Sequence, residues 1–195
     1  RNACSGIINF NGNLSVDDSD FSEPTYSELN ASIVGYDAES TSITNSRFVD
    51  GATVTEYARE EYDFGTSTTT YVYTGRVGND IRFFGGGENI VEGNTFQTGA
   101  QGVFAYESAA TIQNNTWSDY SQFAAYFLSG IGTSTFANNT FENSAGCAIL
   151  CDTSTIVATD NAVERTISGS YGSYEVLVDG VSSGTYADTT ASYPG

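Results

Sequence analysis

The chain has 195 residues, 39% of them apolar, and its 24 Asp and Glu face six Arg with no Lys and no His, for a net charge of −18. That balance excludes nucleic acid and anionic lipid as partners, because binding to either begins with neutralisation of phosphates by Lys and Arg. No run of about 18 apolar residues is present, so no helical membrane span is expected.

With 21 Gly, only two Pro and abundant Thr, Ser, Asn, Tyr and Phe, the composition predicts a single all-β domain rich in turns. Residues 1–30 show no clear period and read as an N-terminal cap or irregular segment. Ser22 to Leu29 has material for only a short helical turn, with Pro24 near its start. Arg1 in place of Met reads as the mark of a processed or excised segment. The acidic run Asp17, Asp18, Asp20 and Glu23 supplies several oxygen ligands, and these four are the candidate calcium ligands. Their spacing is not that of an EF-hand loop, and the plainer reading is a hydrated surface.

A repeat begins at Ile43-Thr44-Asn45-Ser46-Arg47-Phe48, which has the form apolar, any, Asn-like, Asn or Ser, any, apolar. It is interrupted over 53–80. There the acidic, aromatic stretch 53–66 reads as a lateral loop, and Thr70, 24 residues after Ser46, falls at the position expected for one further turn. Tyr57, Tyr62, Tyr71 and Tyr73 in this interruption could form a platform for stacking sugars, although packing within the loop is the simpler role.

The repeat then runs without a break. Val91-Glu92-Gly93-Asn94-Thr95-Phe96 is followed by Ile112-Gln113-Asn114-Asn115-Thr116-Trp117, by Phe136-Ala137-Asn138-Asn139-Thr140-Phe141, and more weakly by Ala158-Thr159-Asp160-Asn161-Ala162-Val163. Successive Asn positions are 21, 24 and 22 residues apart. Each interval also holds a second short apolar run, such as Val103 to Tyr106, Tyr126 to Leu128 and Ile149 to Cys151. These runs are too short for helices and are bounded by turn residues, so they read as strands. A repeat of this size made only of strand cannot bury its apolar side alone; stacking pairs each strand with its copies above and below, about 4.8 Å away. Asn94, Asn115, Asn139 and Asn161 are then expected in one column, each amide both donating and accepting. Phe96, Trp117 and Phe141 form the apolar column beside it. Further on, Tyr174 to Asp179 alternates like one more strand, and 180–195 reads as a C-terminal tail or edge segment.

Through Gly93-Asn94-Thr95-Phe96, Asn114-Asn115-Thr116-Trp117 and Asn138-Asn139-Thr140-Phe141 the chain resembles the right-handed parallel β-helix repeats of the pectin-lyase-like superfamily. The resemblance covers 81–165 and extends to about 31–185. It implies one right-handed parallel β-helix with turns of 21–24 residues, and it concerns fold rather than chemistry. Members of that superfamily often degrade polysaccharides. The hydrolase branch needs a Gly-His-Gly segment, which a chain without His cannot supply. The lyase branch resembles a calcium site beside an Arg or Lys base. Here Arg76 and Arg82 about Asp80, with Glu88 or Glu92, are the nearest match, but no lyase motif fits residue by residue. The simpler reading pairs these Arg with neighbouring carboxylates.

Sequons occur at Asn13, Asn30, Asn114 and Asn138. Asn13 and Asn30 are the better acceptors, since the other two lie in the turn that builds the ladder. Cys147 and Cys151 would be roughly 13 Å apart on one extended strand, too far to bridge unless the chain turns between them. Their pairing, and that of Cys4, is left open. Taken together, the residues favour a non-enzymatic, extracellular or cell-surface structural protein without a cofactor, calcium apart, whose open ends associate head to tail with copies of itself. The alternative is a carbohydrate-binding or lyase-type β-helix with a polysaccharide partner.

Overall fold

The computed structural model describes residues 6–22, 31–49, 55–63, 68–76, 79–143, 147–152, 154–164, 176–179, 183–187 and 190–192. Its strands wind into a solenoid with three faces, and each coil adds one short strand to each face. The first face runs through Ile7–Phe10, Ile33–Tyr36, Asn79–Phe84, the second half of Thr95–Tyr106, the second half of Thr116–Leu128, Cys147–Asp152 and Val176–Asp179. The second is a seven-stranded sheet from Asn13–Asp17 to Ser183–Ala187. The third is built by Asp20–Ser22, Arg47–Val49, the starts of the two long strands, Thr140–Glu142, Ala162–Glu164 and Thr190–Ser192. All these pairings are parallel.

Alternation decides what the interior holds. Ile33, Ile81, Phe83, Val103, Phe127 and Ile149 point in from the first face, and Ile43, Val91, Ile112, Phe136 and Ile156 from the second; all are buried. From the third face comes a ring stack, Phe21 on Phe48 on Phe96 on Trp117, with centroids 4.7–4.9 Å apart and planes within 10° of parallel. Phe141 follows in register beneath Trp117 and is buried.

Two boundary expectations need correcting. Residues 7–22 are no irregular cap: they form a complete first coil whose strands pair with those of the second. The sequence hides this because Val16-Asp17-Asp18-Ser19-Asp20-Phe21 carries the repeat with acids and a Ser in its variable places. The stretch 53–66 is not a loop followed by a missing turn. Thr55–Asp63 and Thr68–Arg76 form an antiparallel hairpin with Thr70 opposite Glu61. The coil after Ser46 is the one that holds Asn94, so the hairpin is an insertion whose length happens to approximate one coil. The segment 180–195, expected as a C-terminal tail or edge segment, contributes Ser183–Ala187 and Thr190–Ser192, strands that pair with the preceding coil.

Candidate functional site

The corner between the second and third faces is built by the Asn repeat. The residue before each ladder position adopts the left-handed conformation, with φ of 47° at Asp18, 48° at Asn45, 66° at Gly93, 59° at Asn114, 53° at Asn138 and 55° at Asp160. Only Gly, Asn and Asp enter this region at small cost, which explains the restricted choice at that place in the repeat. The next residue turns inward. Asn94 Nδ2 donates to the Ile43 carbonyl at 2.9 Å, while Asn115 Oδ1 accepts from the Asn94 amide N–H at 2.9 Å and from its Nδ2 at 3.0 Å. Asn139 does the same for Asn115, and Asn161 for Asn139. Toward the first coil Ser46 N–H donates to Asn94 Oδ1 at 2.8 Å, and Ser19 N–H to Ser46 Oγ at 3.2 Å. Each buried amide is thus satisfied by the coils on either side.

A second amide ladder, not anticipated from the sequence, lies where the third face meets the first. Asn79 Nδ2 donates to Gln101 Oε1, and Gln101 Nε2 to Gln122 Oε1, both at 2.7 Å. Arg82 Nε donates to Asn79 Oδ1 at 2.7 Å.

Beside this ladder Asp80 is buried, and its carboxylate accepts the Tyr120 hydroxyl, itself buried. The Tyr120 ring passes over Gly99, where a Cβ would meet the ring carbons at 2.7 Å. Burial raises the Asp80 pKa to about 7, with the hydroxyl donor pulling the other way. Burial, and then the Asp80 charge, push Tyr120 well above the ordinary phenol. Asp80 therefore does not share an exposed surface with Arg82, as a lyase centre would require: one is in the core and the other is tied to an amide. Glu88 is exposed and Glu92 accepts from Asn114 Nδ2 at 3.1 Å. The side chains of Arg76 and of the four hairpin tyrosines lie outside the described part of the structure.

Of the calcium candidates, Asp17 accepts from Thr44 Oγ1 at 2.7 Å and from Asn45 Nδ2 at 2.9 Å, and these two donors hold its pKa below the usual value. Asp18 and Asp20 are exposed on either side of the corner, while Glu23 is outside the described residues. Among the described residues no three acids, His or Cys converge as metal ligands. Asn13 is exposed on the first coil, with its amide donating to Glu39 Oε2 at 2.9 Å. Asn114 and Asn138 point outward at the ladder corner, and Asn30 is outside the described residues. Cys147 and Cys151 lie on one strand, where Cys151 is buried and its thiol donates to the Ser154 carbonyl at 3.6 Å; Cys4 is outside the described residues.

The outer side of the first face carries a feature the repeat did not announce. Phe10, Tyr36, Phe84, Tyr106 and Leu128 occupy one outward column in register. Phe10 stacks on Tyr36 at 5.1 Å and Tyr36 on Phe84 at 4.8 Å, with planes within 10° of parallel. Tyr106 then turns 60° out of the stack. In the neighbouring column Phe104 meets Tyr126 edge-on, and Leu150 follows. Apolar side chains thus face outward beside Arg82, which precedes Phe104 in that column.

Parallel coils, an internal Asn ladder and a stacked aromatic core define a β-solenoid. Residues 73–181, more than half of the chain, match the right handed beta helix region family, and the chain belongs to it. No curated protein and no solved structure matches the chain. The family holds both enzymes and non-enzymes, so membership fixes the winding and leaves the chemistry open.

Proposed function

We propose that the chain is a non-enzymatic structural module of the extracellular space or cell surface, a rigid solenoid that joins head to tail with copies of itself. One observation carries the reading. Among the described residues, each strand of the solenoid pairs in parallel with its copy on a neighbouring coil, so a coil is a unit that stacks on its like. Ile8 is 40% and Phe10 64% exposed, so apolar surface stands beside this stacking. A copy placed end on would repeat the coil-on-coil contact already made inside the chain, and such a contact does not close on itself, so it yields filaments. The charge of −18 opposes assembly, which should therefore need salt or divalent cations. Light scattering and electron microscopy test this. Filaments in high salt or calcium that are lost on Phe10→Asp support it, and a monodisperse monomer under all these conditions refutes it.

The aromatic outer columns favour a second reading, carbohydrate binding without cleavage. Phe10 is 64% exposed, and Phe104, Tyr106 and Tyr126 stand outward on the same face, which is the kind of surface a sugar ring packs on. Retention of the protein by an insoluble glucan, reduced by Tyr126→Ala, would support it. Unsaturated uronate released from pectin or alginate and abolished by Arg82→Ala would restore the lyase alternative.

A further inference from the structure

We infer that Asn11 is a self-modifying site, where the side chain deamidates without an enzyme to aspartate and isoaspartate and so ages the first coil. The inference does not rest on head-to-tail assembly. Its chemistry is intramolecular. The backbone nitrogen of Gly12, having lost its proton, attacks Asn11 Cγ; ammonia leaves, and a succinimide ring joins side chain to main chain. Water then opens the ring. Opening at the side-chain carbonyl gives aspartate, and opening at the backbone carbonyl gives isoaspartate, in which the main chain runs through Cγ. A water is consumed for each ammonia released.

Sequence and geometry both single out this position. Asn11-Gly12 is the one Asn-Gly pair in the chain, and a glycine, having no Cβ, leaves its nitrogen open to approach. Asn11 is exposed at the corner between the first and second faces, outside any strand, with φ of 53°. Its N–H donates to the Tyr36 carbonyl at 3.1 Å, and the Gly12 carbonyl accepts from Asn9 Nδ2 at 2.9 Å and from the Glu39 N–H at 3.1 Å. Among the described residues no hydrogen bond engages the Asn11 side chain or the Gly12 N–H. The attacking nitrogen and the carbon it attacks are therefore both unrestrained.

The left-handed asparagines of the ladder corner differ in one bond. Asn45, Asn114 and Asn138 are also exposed, with φ of 48°, 59° and 53°. In each case the nitrogen that would attack belongs to a ladder residue and is already donated. Ser46 N–H goes to Asn94 Oδ1 at 2.8 Å, Asn115 N–H to Asn139 Oδ1 at 2.9 Å and Asn139 N–H to Asn161 Oδ1 at 2.9 Å. The ladder thus protects its own corner chemically. At Asn11, isoaspartate would add a carbon to the main chain between Ile7–Phe10 and Asn13–Asp17, two strands that pair with the second coil. Both can no longer keep their register at once, so aged chains should lose protection in the first coil while later coils keep theirs.

The test is peptide mapping by mass spectrometry after the full chain has been incubated at mildly alkaline pH, folded and in denaturant, with isoaspartate read by enzymatic methylation. In the folded chain Asn11 should convert while Asn45, Asn114 and Asn138 stay intact. In denaturant, where the ladder is gone, Asn45 should convert as well. Mass separates these events from isomerisation at Asp50-Gly51 and Asp179-Gly180, which leaves mass unchanged. Gly12→Ala should abolish conversion at Asn11, because its methyl group crowds the attacking nitrogen. Residue 12 is not left-handed and the new Cβ would lie 3.3 Å from Asn9 Oδ1, a contact that a small shift relieves; thermal unfolding checks that the variant folds. Hydrogen exchange on the aged protein should show the loss confined to the first coil. Asn11 intact in the folded chain, Asn114 or Asn138 converting as fast as Asn11, or equal conversion at Asn11 in Gly12→Ala overturns the inference.

Discussion

The Tyr120 hydroxyl reaches across Gly99 to the carboxylate of Asp80, joining residues 40 apart in sequence in the core of the solenoid. A β-helix of this composition has ample surface on which to solvate its acids. Placing one inside therefore ties the stability of the coil to the protonation state of that carboxyl.

The pH dependence follows from the direction of the shift. Asp80 has its pKa raised to about 7 by burial, so between about pH 4 and pH 7 the folded chain keeps a proton that the unfolded chain gives up. Its stabilising contribution is complete below about pH 4 and is lost as pH rises through 7. The loss is on the order of 4 kcal/mol. Denaturant unfolding should show stability falling from pH 4 to pH 8, and Asp80→Asn should flatten the curve. Repulsion among surface carboxylates works in the same direction, so the comparison is between wild type and variant at equal salt. Identical pH profiles would show that Asp80 ionises without penalty.

Gly99 and Tyr120 should be coupled. A methyl group at position 99 would sit 2.7 Å from the phenol ring, where the strand is paired with Tyr120 on the following coil. Gly99→Ala should cost about 1–3 kcal/mol, the range for overpacking, and displace the hydroxyl from Asp80. Once Tyr120→Ala has emptied that space, the same change should be nearly neutral. The measurement is a double-mutant cycle in denaturant. Additive effects would mean that the ring and the glycine do not compete for space.

The Asn ladder predicts a graded series at position 115. Asn115→Leu removes the acceptor for the Asn94 N–H and the donor to the Val91 carbonyl. Each group left unpaired costs about 1–3 kcal/mol. Asn115→Ser should lose less, because Ser46 already fills the equivalent slot and accepts the Ser19 N–H. Equal melting temperatures for the two variants would contradict the ladder's role.

The interior of the middle coils was legible because two local constraints coincide at each corner. A left-handed residue restricts position three of the repeat to Asn, Asp or Gly, and an inward amide follows it, so Gly93-Asn94, Asn114-Asn115 and Asn138-Asn139 stand out. The first coil was not legible, since Ser19 replaces the amide and acids surround it. The hairpin misled for a reason of length alone: 48 residues separate Ser46 from Asn94, which matches two coils in number while the chain makes one coil and an excursion. Asp80 with Tyr120, and the column Phe10–Tyr36–Phe84, depend on which coils become neighbours. No local pattern encodes that until the insertion is placed.

The left-handed column makes the last prediction. Asn114 has φ of 59°, is exposed, and its side chain donates to Glu92 Oε1 on the preceding coil. An exposed interaction of this kind contributes little, so the backbone should dominate the effect of substitution. Glycine already occupies the same place at Gly93, with φ of 66°, and Asn114→Gly should leave stability within about 0.5 kcal/mol of wild type, the range for an ordinary surface change. Asn114→Val puts a β-branched side chain where the left-handed region costs about 1–2 kcal/mol even for ordinary residues. It should destabilise by at least that much although it removes nothing from the core. Strain at this corner also bears on the Asn115 amide that follows, so the valine variant should lose hydrogen-exchange protection at the Asn94 and Asn115 amides before other core amides. If Asn114→Val matched Asn114→Gly in stability, the conformational account of the repeat would be wrong, and the preference for Asn there would have to come from its bond to Glu92.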